Sequence, residues 1–285
     1  MGVRLNLNAF ETHDALVAAA SEQRRTLRGA REGFSQWDRA APRFRADPKR
    51  TLTADAEAIA AYVKPVDTFL DVGGGAGRYA LPIALRCRES ICVDPSPGMG
   101  AEFTASAAEA GITNARFVEA DWLAAPDNVI GDVTLVAHVT YFVPQIKPCI
   151  EKLIAQTRRR VIIAIGSVPP PNQGADLFEM VEGTPLAPVP DQRQLLPVLW
   201  ELNILPEVHI AGSAASTGMG PRAYASKEEA IAQLTRGAAG ENEELATRTR
   251  HVLEQHFYKL FVPSPDGGYQ RSTPSPRLLL ITWEV

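Results

Sequence analysis

The chain has 285 residues, a formal net charge of −4 and 22% charged residues. That is room for one large α/β domain with additions, and it excludes the clustered basic footprint of a nucleic-acid binder. No run approaches the length of a membrane span, and the first ten residues lack the apolar core of a secretory leader. Cys87, Cys92 and Cys149 are odd in number and lack metal-ligand spacing. They read as buried thiols in a reducing compartment, so a cytoplasmic protein without a metal centre is expected.

Residues from about 11 to 46 read as a mixed helical arm, punctuated by Phe34, Trp37 and Phe44. These aromatics either pin the arm to the domain or cover a ligand. Residues 1–50 are assigned to this arm and residues 51–285 to the main domain. Thr53 is a candidate N-cap, with Asp55 and Glu57 in the first turn behind it, and Pro65 stops that helix. The run Thr68-Phe69-Leu70-Asp71-Val72 reads as a buried strand. It leads into Gly73-Gly74-Gly75-Ala76-Gly77 and then a helical pattern from Tyr79 to Leu85. A strand, a glycine loop and a helix let backbone approach a ligand, with the free amides of the helix start behind it.

Ser90 to Val93 is a second strand, ending on Asp94, and Ser96-Pro97 opens a helix that stops at Gly111. Residues 115–120 form a third strand ending at Asp121-Trp122, and 132–138 a fourth. A helix then runs through Ile150 and Leu153, closed by Arg158-Arg159-Arg160. Val161 to Ile165 is a fifth strand, apolar throughout as for burial on both faces. A proline-rich segment over 166–190 reads as loop with one or two helical turns. A helix with Leu195 and Leu199, a sixth strand at 207–210, and a last strand at 277–283 complete the pattern. Ser226 and Glu229 form a capping box for the first of two helices inserted at about 213–262. The alternation from 58 to 165 predicts a parallel sheet with right-handed crossovers.

The glycine spacing departs from the dinucleotide fingerprint, because Arg78 stands where its last glycine would be. With Asp71 before the loop, Asp94 ending the second strand and Asp121-Trp122 ending the third, residues 67–165 resemble the class I S-adenosylmethionine-dependent methyltransferases. The resemblance implies an α/β, Rossmann-like, seven-stranded and mostly parallel sheet, with helices on both faces and an antiparallel last strand. It implies S-adenosyl-L-methionine as cofactor and says little about the substrate. The apolar content of the additions favours a small organic molecule, the spread of charge and the lack of a membrane-length run give no nucleic-acid or membrane partner, and a homodimer is the candidate assembly.

The implied cofactor residues are Asp71, Gly73, Gly75, Gly77, Asp94, Asp121, Trp122 and His138. Asp94 can accept bonds from both ribose hydroxyls, since an ionised carboxylate offers acceptors only. Asp121 corresponds to an aspartate that meets the adenine amino group, and Trp122 is placed to flank the ring. Asp71 either fixes the loop or meets the methionine ammonium. His138 and Tyr141, at and just after the fourth strand, are the catalytic candidates. His138 is a base if the acceptor must lose a proton, or else a wall of the cofactor pocket, and packing is the alternative for Tyr141. The acceptor pocket is expected from the additions: the arm with Trp37, the proline-rich segment, and the inserted helices with Phe257 and Tyr258, although core packing explains their aromatics at least as well as ligand contact. The competing readings are a methyltransferase-like protein that binds cofactor without catalysis, and a nicotinamide-dependent oxidoreductase.

Overall fold

The apolar run at residue 68 becomes strand β1 (Thr68–Val72), every residue of which is buried. It pairs in parallel with β2 (Glu89–Asp94) and with β4 (Gly131–Ala137). Further parallel pairs join β2 to β3 (Ala115–Glu119) and β4 to β5 (Thr157–Gly166). The last strand, β9 (Arg277–Glu284), runs antiparallel to both β5 and β6 (Glu207–Ser213). The resulting seven-stranded sheet has the order β3-β2-β1-β4-β5-β9-β6, the expected mostly parallel sheet with its antiparallel last strand. The computed structural model describes residues 8–28, 34–213, 223–240, 242–265, 267–273 and 276–285. Parts of the expected arm (1–7 and 29–33) and of the insertion (214–222 and 241) lie outside the described residues.

Strand alternation sends side chains to both faces of the sheet. Leu70, Val72, Ile163 and Ile165 pack with helices α1 (Ala9–Arg28), α6 (Ile146–Ala155) and α8 (Gln192–Glu201). Phe69, Val133, Leu135 and Ile162 face the other way, against α3 (Ala54–Ala60) and the α4 segment (Ala80–Ala84). Helix α5 (Pro97–Ala110) packs through Phe103 and Ala107 against Leu81 and Cys92. Its start follows the sequence reading: the Ser96 hydroxyl accepts from the Met99 amide at 3.2 Å, and Gly111 closes it in the left-handed region.

Three local expectations are corrected. Arg158, Arg159 and Arg160 do not close a helix; they open β5, where Arg158 pairs with Asp132, Arg159 with Asp67 and Arg160 with Glu284. Ladder bonds to β4 and β9 there outweigh the helical pattern. Thr53 occupies the N-cap position of α3 but its hydroxyl caps nothing. The insertion holds more than two helices: α9 (Lys227–Ala239) and α10 (Glu243–Leu260) are followed by a hairpin of β7 (Phe261–Pro263) and β8 (Tyr269–Arg271). With α7 (Ala175–Glu182) they form a separate apolar cluster.

The arm straddles the carboxyl edge of the sheet. Helix α1 is tied to the α6–α8 face: the Ala9 amide donates to Glu201 at 2.8 Å, and the Ile146 amide donates to Asp14 at 3.1 Å. Helix α2 (Phe34–Ala40) lies on the opposite side, where the Asp38 carboxylate accepts from the Ser96 hydroxyl and, at 3.0 Å, from the Gly98 amide. A Cβ on Gly98 would stand 2.8 Å from the Asp38 Cα, so glycine is what admits the arm here. Two bonds and this close contact hold the arm over the strand ends.

Candidate functional site

A cavity of about 490 Å³ opens at the carboxyl ends of β1, β2 and β4, beneath the arm. Ligands of open α/β sheets bind at this edge, and the volume lies in the range of small-molecule sites.

Its first wall is the loop after β1. Gly73 and Gly75 take φ of +71° and +55°, which side chains with a Cβ avoid, so the loop curls back under the strand ends. A Cβ on Gly73 would meet a Val139 methyl at 2.4 Å. Gly77 lies behind the loop, facing Phe103 and Leu81, and does not line the cavity. Asp71 lines it but is wholly buried, tucked against Gly74. Neither of its oxygens has a hydrogen-bond partner among the described residues. Burial pushes its carboxyl up to about 7; the Ala80 amide approaches and offsets part of this, and the nearby Asp94 charge adds to it.

Asp94 ends β2 and lines the cavity. One oxygen accepts from the Gly75 amide at 3.1 Å and the other from the Ser96 amide at 2.9 Å. Each oxygen therefore keeps a lone pair for a further donor, the arrangement a vicinal diol requires. Burial raises its carboxyl above the usual range, against those two amides. At the third strand end, Asp121 is exposed and accepts from the Leu123 amide at 2.9 Å. Trp122 is buried, donates to the Cys149 carbonyl at 3.4 Å and carries Lys152 5.3 Å above its ring. Both line the cavity.

His138 directly follows β4 with φ of +60°, a left-handed conformation uncommon for residues with a side chain. Its amide donates to the Ala164 carbonyl at 2.9 Å, and its Nδ1 lies 2.8 Å from the Tyr141 hydroxyl. Nε2 is shielded from solvent and has no partner among the described residues. Burial first, then the Arg78 charge, push the imidazole down to about 4, with Asp55 opposing, so it is neutral at pH 7. Tyr141 does not line the cavity; it is buried behind His138 and orients the ring. It packs at 5.0 Å against Phe142, which does line it.

Of the additions expected to build an acceptor pocket, the arm alone reaches this cavity among the described residues. Trp37 and Phe44 line it, and Trp37 makes edge-to-face contacts at 5.9 Å with both Phe44 and Phe142. The proline-rich segment contributes nothing to the lining. Phe257 is stacked on Phe261 at 4.6 Å in the insertion's own core, and Tyr258 is exposed beside it. The sequence reading missed Arg78 and Tyr79, both on the wall. Their adjacency to the glycine loop was the available signal. Tyr79 donates to Asp55 at 2.6 Å, a contact no local pattern encodes.

The arm's grip on α5 has a measurable consequence. Asp38→Ala removes both hydrogen bonds, so bound S-adenosylhomocysteine should leave about tenfold faster. Stopped-flow tryptophan fluorescence checks this, and an unchanged release rate would show that the arm does not gate the cavity.

Residues 69–161 match the family model described as a methyltransferase domain. No curated relative matches the sequence. Among solved structures, the chain is similar to the YcgJ protein of Bacillus subtilis, with 14% identity over 81% of this chain and 97% of that one and a TM-score of 0.55. It is also similar to a methyltransferase of Geobacter sulfurreducens in complex with S-adenosyl-L-homocysteine, with 13% identity, coverage of 83% and 91% and a TM-score of 0.50. The [4+2]-cyclase SpnF matches at 14% identity, coverage of 80% and 78% and a TM-score of 0.52.

Proposed function

We propose that this chain, whose residues 69–161 match a methyltransferase domain, is a class I S-adenosylmethionine-dependent methyltransferase that transfers a methyl group to a hydroxyl of a small organic acceptor. The observation that carries the cofactor side is Asp94: a carboxylate held by two loop amides, with lone pairs left for a ribose diol, beside a loop that positive-φ glycines keep open. The residues fit the cofactor. Asp94 would hold the ribose, Asp121 and Trp122 the adenine end, and Gly73 to Gly75 with Asp71 the methionyl end. When bound, S-adenosylmethionine supplies an electrophilic methyl group on a sulfonium.

This chain's own residues supply alignment, a dry setting and a proton acceptor. Trp37, Phe44 and Phe142 cover the cavity with apolar surface, which favours a small acceptor over a macromolecule. His138 is neutral, and with Nδ1–H donated to Tyr141 its Nε2 holds a lone pair for the proton the acceptor sheds. A hydroxyl becomes strongly acidic as its oxygen is methylated, so a weakly basic imidazole suffices. An aliphatic ammonium would not yield its proton to such a base, which is why a hydroxyl acceptor is favoured.

Calorimetry with S-adenosylhomocysteine tests the reading. The wild type should bind it, and Asp94→Ala should bind it about 10- to 100-fold more weakly, through loss of charge-assisted bonds to the diol. Equal affinities would remove Asp94 from the cofactor site. A second reading, cofactor binding without methyl transfer, draws on the similarity to a protein named as a cyclase. Any methylated product from a panel of hydroxylated acceptors decides against it.

A further inference from the structure

Arg78 follows the glycine loop and lines the cavity, half-buried. Its guanidinium lies 5.6 Å from the centre of the Tyr79 ring, and among the described residues it makes no ion pair and no side-chain hydrogen bond. Its backbone is anchored: Arg50 donates to the Arg78 carbonyl at 2.8 Å, and Arg50 is itself bonded to the Asp47 carbonyl. Arg50 is thus spent on backbone carbonyls and does not line the cavity, which leaves Arg78, among the described residues, as the guanidinium on its wall. Asp55, a buried carboxylate, is already engaged by the Tyr79 hydroxyl. The Arg78 charge is felt at His138, which places the guanidinium at the end of the cavity where that imidazole stands, rather than in solvent.

A half-buried guanidinium has been drawn partly from water without a counter-ion, and its planar fork of donors matches a carboxylate bidentately. We propose that Arg78 is the carboxylate-binding residue of this cavity. The assignment rests on the methyltransferase reading, in which two ligands bring a carboxylate: the methionyl end of the cofactor, and an acceptor that is itself a carboxylic acid. The Tyr79 ring, 5.6 Å from the guanidinium carbon, adds a cation–π contact that restrains the side chain.

The test compares S-adenosylhomocysteine with 5′-methylthioadenosine, which lacks the amino-acid end, on wild type, Arg78→Gln and Arg78→Lys. A second arm titrates benzoate into the S-adenosylhomocysteine-saturated proteins. Loss of about 10- to 100-fold in S-adenosylhomocysteine affinity in R78Q, with 5′-methylthioadenosine unmoved and partial recovery in R78K, assigns Arg78 to the cofactor carboxylate. Unchanged S-adenosylhomocysteine affinity with benzoate binding lost in R78Q assigns it to an acceptor carboxylate. R78Q indistinguishable from wild type in both arms overturns the assignment alone. A wild-type protein that binds neither adenosine compound overturns the methyltransferase reading and the assignment with it.

Discussion

Asp71→Asn should make the ligand-free protein more stable at pH 8 and at the same time a poorer binder of S-adenosylhomocysteine. The carboxyl is wholly buried with no hydrogen-bond partner among the described residues, and burial holds it at about 7 against an ordinary value of 3.8. Its folded-state value is the higher one, so the native protein binds the extra proton between those limits. Stability is therefore lost as pH rises from about 4 through 7, and the full penalty of an ionised, buried carboxylate stands above 7. That penalty is on the order of 4 kcal/mol. The amide isostere does not ionise, so its gain in melting temperature should be largest at pH 8 and vanish near pH 4. Binding has the opposite sign. A ligand ammonium at the methionyl end stabilises the carboxylate and expels the proton, so affinity for the wild type should rise with pH up to about 8. Calorimetry at pH 6.5 in buffers of different ionisation enthalpy should show proton release on binding, absent in the variant, whose affinity should fall about tenfold or more. If the variant gains no stability at pH 8, the carboxyl is not held ionised in an apolar setting, and the loop-side account of Asp71 fails.

What could be read from the sequence divides along contact range. The edge of the cavity was legible because its parts are local: a strand, its loop and the residue ending the next strand are each marked by a few contiguous letters. Asp94 and the Gly73–Gly75 turn fall where the sequence placed them. Gly77 and Tyr141 were legible as neighbours of the site but not in their orientation, since whether a residue faces a cavity or the packing behind it depends on how the loop folds back. Arg158 to Arg160 misled because a run of arginines after a helical pattern satisfies a helix C-terminus and a strand start equally well. Only pairing with Asp132, Asp67 and Glu284, each from another element, decides it. The inserted aromatics were open between ligand contact and core packing for the same reason, and the structure shows packing. Phe257 and Tyr258 are the composition of a ligand pocket, yet they satisfy one another and the β7–β8 hairpin. The hold of Asp38 on Ser96 and Gly98, and of Tyr79 on Asp55, span 58, 60 and 24 positions and leave no local trace.

His138→Asn should lower the rate of methyl transfer by about 10²- to 10⁴-fold, the range for loss of a positioned proton acceptor, and leave S-adenosylhomocysteine affinity within about twofold. Asparagine is the informative replacement because it tolerates the positive φ that the position imposes, so backbone strain is not the variable. Single-turnover measurements with an accepted hydroxylated substrate read the chemical step directly. The wild-type rate should fall on the acid side with a midpoint near pH 4, where the imidazole protonates, and stay flat from about pH 5 to 8. In the variant that limb should disappear. Stability provides a second readout with its own sign. The folded imidazole titrates at about 4 and the unfolded one at 6.5, so the unfolded chain binds the extra proton in between. Stability is then lost as pH falls from 6.5 through 4, and the asparagine variant should lose less of it. Tyr141→Phe removes only the group that orients Nδ1, so its rate should fall between wild type and His138→Asn with the acid limb retained. A His138→Asn protein that transfers methyl groups at the wild-type rate would reduce His138 to a wall of the cofactor pocket, and proton removal would then belong to solvent or to the acceptor itself.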